Sequence, residues 1–198
     1  MNYKISQKNA AARVVSLIVA LLMMVALPAC QEDRSDDSTL TQSLLNSYMK
    51  ALCDYNISSM NKCCMAKREP FDDSEAEEKS CRSIASLIEW ESENISIDGN
   101  SAIAQVRITL PEDIESICSA ALGDTVKSLD EGSEEDCAQL LASAIRKRAG
   151  KAKTVTLSAE ISMTKVDNKW YIVKSFGVNS ILSDIRTPVA AVFSLIGG

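Results

Sequence analysis

The chain of 198 residues contains no histidine. That absence excludes Ser-His-Asp and Cys-His nucleophile systems and every imidazole general base. It also removes the commonest nitrogen ligand for a metal ion. Glycine and proline are few, 7 and 4, so no flexible or proline-rich tract interrupts the chain. Nor is there an apolar run of the roughly 20 residues that a membrane-spanning helix needs. The longest, VVSLIVALLMMVAL, covers only residues 14–27.

What is present begins with that run. Lys4, Lys8 and Arg13 precede it, and the acidic stretch QEDRSDDS follows at 31–38. A positive head, a short apolar centre and a polar exit read as an export signal over residues 1–29. The segment Leu27-Pro28-Ala29-Cys30 resembles the lipobox of bacterial lipoproteins. The resemblance implies cleavage before Cys30 and a diacylglycerol on its thiol, palmitate being the typical acyl chain. The membrane is then a partner through Cys30, and the chain sits on the extracytoplasmic face of the cell membrane. Ordinary secretory cleavage, with Cys30 a routine thiol, is the plainer alternative.

The cysteine count follows this division. Removing Cys30 from the seven leaves Cys53, Cys63, Cys64, Cys81, Cys118 and Cys137. An even number in an exported chain suits disulfide pairing. The leader carries three of the 21 basic residues and none of the 27 acidic ones, which leaves 18 against 27, a net charge of −9. So acidic a body argues against nucleic acid as a partner.

Residues 30–38 are polar and charged and read as a flexible acidic tether. Ser38 or Thr39 then offers a helix cap. Leu40, Leu44, Tyr48 and Leu52 recur every four residues, with Leu45 and Met49 beside them, which predicts an amphipathic helix. A second helix is predicted over 57–66. The acidic stretch DDSEAEE after Pro70 leads into a third, with Ile84, Leu87 and Ile88 facing inward. The period then changes to two. NISI and SAIAQVRITL flank Asp98-Gly99-Asn100, and TVTLSAEISMTKV and KWYIVKSF flank Asp167-Asn168, which predicts two hairpins. Between them, residues 111–150 read as a helical insertion. Its first helix is expected from near Pro111 to Gly123 and its second from Ser133 to Gly150. The plan is α+β, helices packed on a curved antiparallel sheet, over residues 39–180.

Helices with those bounds place Cys118 and Cys137 at similar distances from the intervening loop. Cys118–Cys137 is therefore the expected disulfide, with two packed free thiols as the alternative. Cys63 and Cys64 are adjacent and cannot readily bond each other. Each is expected to take one of Cys53 and Cys81, in an order left open. A thiolate metal site is disfavoured, because no Cys-x-x-Cys pair occurs.

The stretches YMKALCDYNISSMNKCC, ISIDGNSAIAQV and ISMTKVDNKWYIVKS resemble the opening helices, early hairpin and last hairpin of cone-shaped, cystatin-like domains. These belong to the nuclear-transport-factor-like superfamily, which includes small bacterial lipoproteins of unassigned function. The resemblance covers about residues 40–178 and is broken by the insertion. It implies a concave sheet face able to hold a small ligand, a partner, or nothing.

Chemistry-bearing residues form no motif. Tyr48, Tyr55 and Tyr171 are the only tyrosines after the leader, and no carboxylate has a telling spacing to any of them. No catalytic residue, cofactor or metal ligand is assigned. The basic cluster IRKRAGKAK (145–153) reads as a helix end. The apolar tail 181–198 reads as a helix opened by Thr187-Pro188, covered by its own domain or by a protein partner or second copy through 188–196. The functional expectation is an anchored, non-enzymatic binding or interaction module. A small-ligand carrier using the cone is the alternative, and a carboxylate/tyrosine isomerase or dehydratase the third.

Overall fold

A computed structural model describes residues 32–196. The leader and Cys30 lie outside the described residues. From Leu40 on, the chain forms one compact unit.

The first helix, α1 (Glu32–Cys53), begins six or seven residues before the expected cap at Ser38 or Thr39. Residues 32–38 are thus helical. Leu45, Tyr48, Met49 and Leu52 are buried, while Leu40 lies at the edge of the stripe, 41% exposed. Helix α2 (Ile57–Cys63) is capped by the Asn56 side chain and stops three residues short of the expected end. The chain instead turns extended at Cys64 and pairs with Ile172, the Met65 N–H donating to the Ile172 carbonyl at 2.9 Å. Helix α3 (Glu75–Ala85) opens on a reciprocal capping box between Ser74 and Glu77. Ile84 and Ile88 are buried as expected, but Leu87 turns outward.

Both hairpins form. Strands β1 (Glu89–Asp98), β2 (Ser101–Pro111), β3 (Thr154–Val166) and β4 (Lys169–Phe176) make an antiparallel sheet in sequence order. The β3–β4 turn places Asp167 and Asn168 at φ 49° and 60°, the geometry of a tight two-residue hairpin turn. Bulges between Ser92 and Asn94 and between Ser162 and Met163 shift the register, and such bulges bend a sheet. One face is apolar and covered. Val106 pairs with Ala159, Ala104 with Ile161 and Ala102 with Met163, and all six are buried. The other face is polar, with Arg107 paired to Glu91 and Glu93.

The insertion forms two helices with bounds different from the expected ones. Pro111 is the last residue of β2, and α4 (Ile114–Asp130) is capped by Asp113, which sits at φ 53°. The helix runs through Gly123, where a side chain would meet open space, and ends before Gly132 at φ 89°. Asp136 caps α5 (Cys137–Ala149), and Gly150 closes it. The two helices are clamped by Arg148, whose Nε and Nη2 donate to Asp124 at 2.6 and 2.7 Å.

These bounds overturn the Cys118–Cys137 disulfide. Cys118 lies 12 residues before the end of α4, about 18 Å along the axis. Cys137 is the first residue of α5. With Asp124 opposite Arg148, Cys118 faces the far end of α5. No disulfide joins the six described cysteines. Cys53 points to the Ile88 carbonyl, Cys63 to Ser59 on its own turn, and Cys64 follows into the pairing with β4.

The last helix, α6 (Val178–Ile196), starts nine residues before Thr187 and continues through Pro188. It packs on α3, α4, α5 and β4, burying Ile181, Ile185, Val189, Val192 and Phe193. No described helix is long and apolar enough to cross a membrane.

Candidate functional site

Each of the three tyrosines among the described residues has a structural occupation. Tyr48, wholly buried on α1, donates to Ser175 Oγ at 2.8 Å, and Ser175 donates to Asn179 Oδ1 at 2.8 Å. This relay ties α1 to the junction of β4 and α6. Burial raises the Tyr48 hydroxyl from the ordinary 10 to about 12. A raised folded value stabilises the fold fully below pH 10, and that contribution disappears as pH climbs toward 12. Tyr48→Phe is therefore expected to cost about 1 kcal/mol at pH 7. It should also flatten the alkaline fall in stability, which urea unfolding at pH 8 to 11.5 measures.

Tyr55 terminates α1. Its N–H bonds the Leu52 carbonyl and the Asn56 N–H bonds the Ala51 carbonyl, so Tyr55 occupies the left-handed position usually given to glycine, at φ 49°. The strain is held by side-chain contacts. The hydroxyl donates to Asp73 Oδ2 at 3.1 Å, and the ring lies 6.0 Å from that of Phe71. Arg186 of α6 donates from Nε to Asp73 Oδ1 at 2.7 Å and stacks over Phe71 at 4.7 Å. The Asp73 side chain is 6% exposed and that of Arg186 34%. The hydrogen bond to Asp73 raises the Arg186 pKa further, so the guanidinium stays charged.

A carboxylate beside a tyrosine is an arrangement that can do acid–base work in a chain without histidine. Here both carboxylate oxygens are occupied, and burial pushes the Tyr55 hydroxyl well above its usual range. A recess of about 250 Å³ adjoins the cluster, lined by Tyr55, Ser58, Phe71 and Asp73 among others. Five of the described thiols are equally quiet. Burial raises Cys81 to about 12 and Cys118 to about 11, and raises Cys53, Cys63 and Cys64. Tyr171 lies half-buried beneath Lys169, on the opposite side of β4 from buried Trp170. Among the described residues, no cluster of three or more Cys, Asp or Glu is placed to hold a metal ion.

A larger groove, of about 710 Å³, lies between α4 and α6. Its floor is the end of the covered sheet face. Leu110 pairs with Val155 and Ile108 with Leu157, and here the face runs out from beneath the helices. Ile108 is fully buried, while Leu157 is 42% exposed. The spacing in TVTLSAEISM put Val155, Leu157, Ala159 and Ile161 on one face. It gave no sign that the cover ends between Leu157 and Ala159.

No protein-family model matches the chain, and no curated protein does. Several solved chains are similar to it, among them the following two. One is an NTF-2 like protein of unknown function from Shewanella oneidensis MR-1, 11% identical, with a TM-score of 0.38, covering 70% of this chain and 96% of that one. The other is a function unknown protein from Mycobacterium tuberculosis, 11% identical, with a TM-score of 0.37, covering 85% and 94%.

Proposed function

We propose that this chain is a lipoprotein anchored through Cys30 outside the cytoplasmic membrane, with a cone-like domain that works as a non-enzymatic interaction module. The observation that carries the reading is the groove: an apolar sheet face left uncovered between two helices, in a domain whose reactive side chains are engaged in packing. The leader pattern and the lipobox resemblance support the anchoring, and the acidic body suits a domain held off an anionic surface. A small-ligand carrier is the second reading, because about 710 Å³ is within the range of small-molecule pockets.

Replacing Cys30 with alanine removes the acceptor thiol. In fractionated bacterial cells, Cys30→Ala is expected to abolish diacylglycerol labelling and signal cleavage of the chain. Wild-type-like processing and acylation of the variant would overturn the anchoring.

A further inference from the structure

The groove has a chemical character that restricts what enters it. Its walls carry two exposed leucines, Leu157 on β3 and Leu195 on α6, the latter 71% exposed. Its rim carries three exposed carboxylates, Asp113 and Glu115 at the start of α4 and Asp184 on α6. None of the described residues lining it is a lysine or arginine. Pro188 adds to this polarity. It lies inside α6 four residues after Asp184 and has no N–H to donate to the Asp184 carbonyl. Both residues line the groove. The stretch of α6 forming this wall, from Ser183 to Leu195, is about 18 Å long. That length matches about three turns of a docked helix.

We propose that this groove docks an amphipathic helix of a partner protein, with apolar side chains along one stripe and lysine or arginine flanking it. The proposal rests on the interaction-module reading and supplies its partner chemistry. Apolar residues at i, i+3, i+4 and i+7 fill the floor between Leu157 and Leu195. The flanking cations meet Asp113, Glu115 and Asp184, which sets orientation and excludes acidic helices. The groove is lined by none of Tyr55, Asp73 and Arg186, so it is separate from that cluster.

The test uses the full-length chain in its host's membranes, with a photo-crosslinking benzoylphenylalanine at Ala191 in the groove or, as control, at Ser96 on the sheet. The probes are two 18-residue helical peptides with the same leucine pattern, one carrying lysines and the other glutamates. The expected result is crosslinking of the lysine peptide from Ala191, about tenfold above both the Ser96 control and the glutamate peptide. The paired changes Glu115→Gln and Asp184→Asn should lower the yield about fivefold, and so should 0.5 M salt. Equal yields from the two peptides, equal yields from the two positions, or crosslinking of Ala191 to a second copy of this chain would overturn the proposal. Fractionation of the same cells reports on the anchoring separately. A chain found only in the soluble fraction refutes the lipoprotein reading and leaves the crosslinking comparison intact.

Discussion

Asp73→Ala is expected to lower the unfolding free energy by about 3 kcal/mol, the low end of the range for breaking a buried ion pair. The change leaves Arg186 charged against a partly buried surface and removes the acceptor of the Tyr55 hydroxyl. The value sits at the low end because Arg186 keeps 34% of its side-chain surface in solvent. Arg186 is the contact through which α6 reaches the loop before α3, and Tyr55 holds a left-handed helix end. Loss of the carboxylate therefore loosens two junctions together. The double change Asp73→Leu with Arg186→Met removes both charges and should recover a large part of the loss. Urea unfolding followed by tryptophan fluorescence and far-ultraviolet dichroism measures both variants, coincident transitions being the condition for comparing them. A loss below about 1 kcal/mol would mean that the pair is a surface contact.

The second large effect contrasts two residues on the same side of one strand. Ile161→Ala is expected to cost about 3.5 kcal/mol, because Ile161 is fully buried opposite Ala104 and its removal leaves a cavity. Leu157→Ala, four residues earlier on the same face, is expected to cost less than about 1 kcal/mol. The difference measures where the helical cover of the sheet ends. Equal losses at the two positions would show that Leu157 is covered, and the groove would then be filled.

Much of this architecture is legible in the residues. The alternation in SAIAQVRITL and TVTLSAEISMTKV specifies strands whose buried residues are those at every second position. Asp167-Asn168 specifies its own turn, because both residues tolerate positive φ. The apolar stripe Val189, Val192 and Phe193 specifies a helix that must be covered, and it is.

Helix ends are less legible in the sequence, for a physical reason. Gly123 and Pro188 look like boundaries, yet each sits inside a helix held by neighbouring helices. Tertiary packing outweighs a local cost of about 1 kcal/mol for glycine and about 3 for proline. The disulfide expectation inherited that error. Moving the end of α4 from Gly123 to Asp130 carries Cys118 away from the loop.

The candidate site was the least legible part. Tyr55 and Asp73 are 18 residues apart, and Asp73 and Arg186 are 113 apart. No periodicity spans such a separation. The acidic stretch DDSEAEE read as a loop and helix start, which it is, but one of its carboxylates is a buried anchor. A single sequence has no signal that distinguishes Asp73 from Asp72 beside it.

We propose an anchored domain that is not an enzyme. Native mass spectrometry of the processed chain, recovered from its host's envelope in mild detergent and measured again after denaturation, tests it most directly. The predicted spectrum is that of a chain beginning at Cys30 with a diacylglycerol attached. Its six remaining cysteines should be unpaired, and no small molecule should be lost on denaturation. An unacylated Cys30 would contradict the anchoring, and a small molecule released on unfolding would make the protein a carrier or an enzyme.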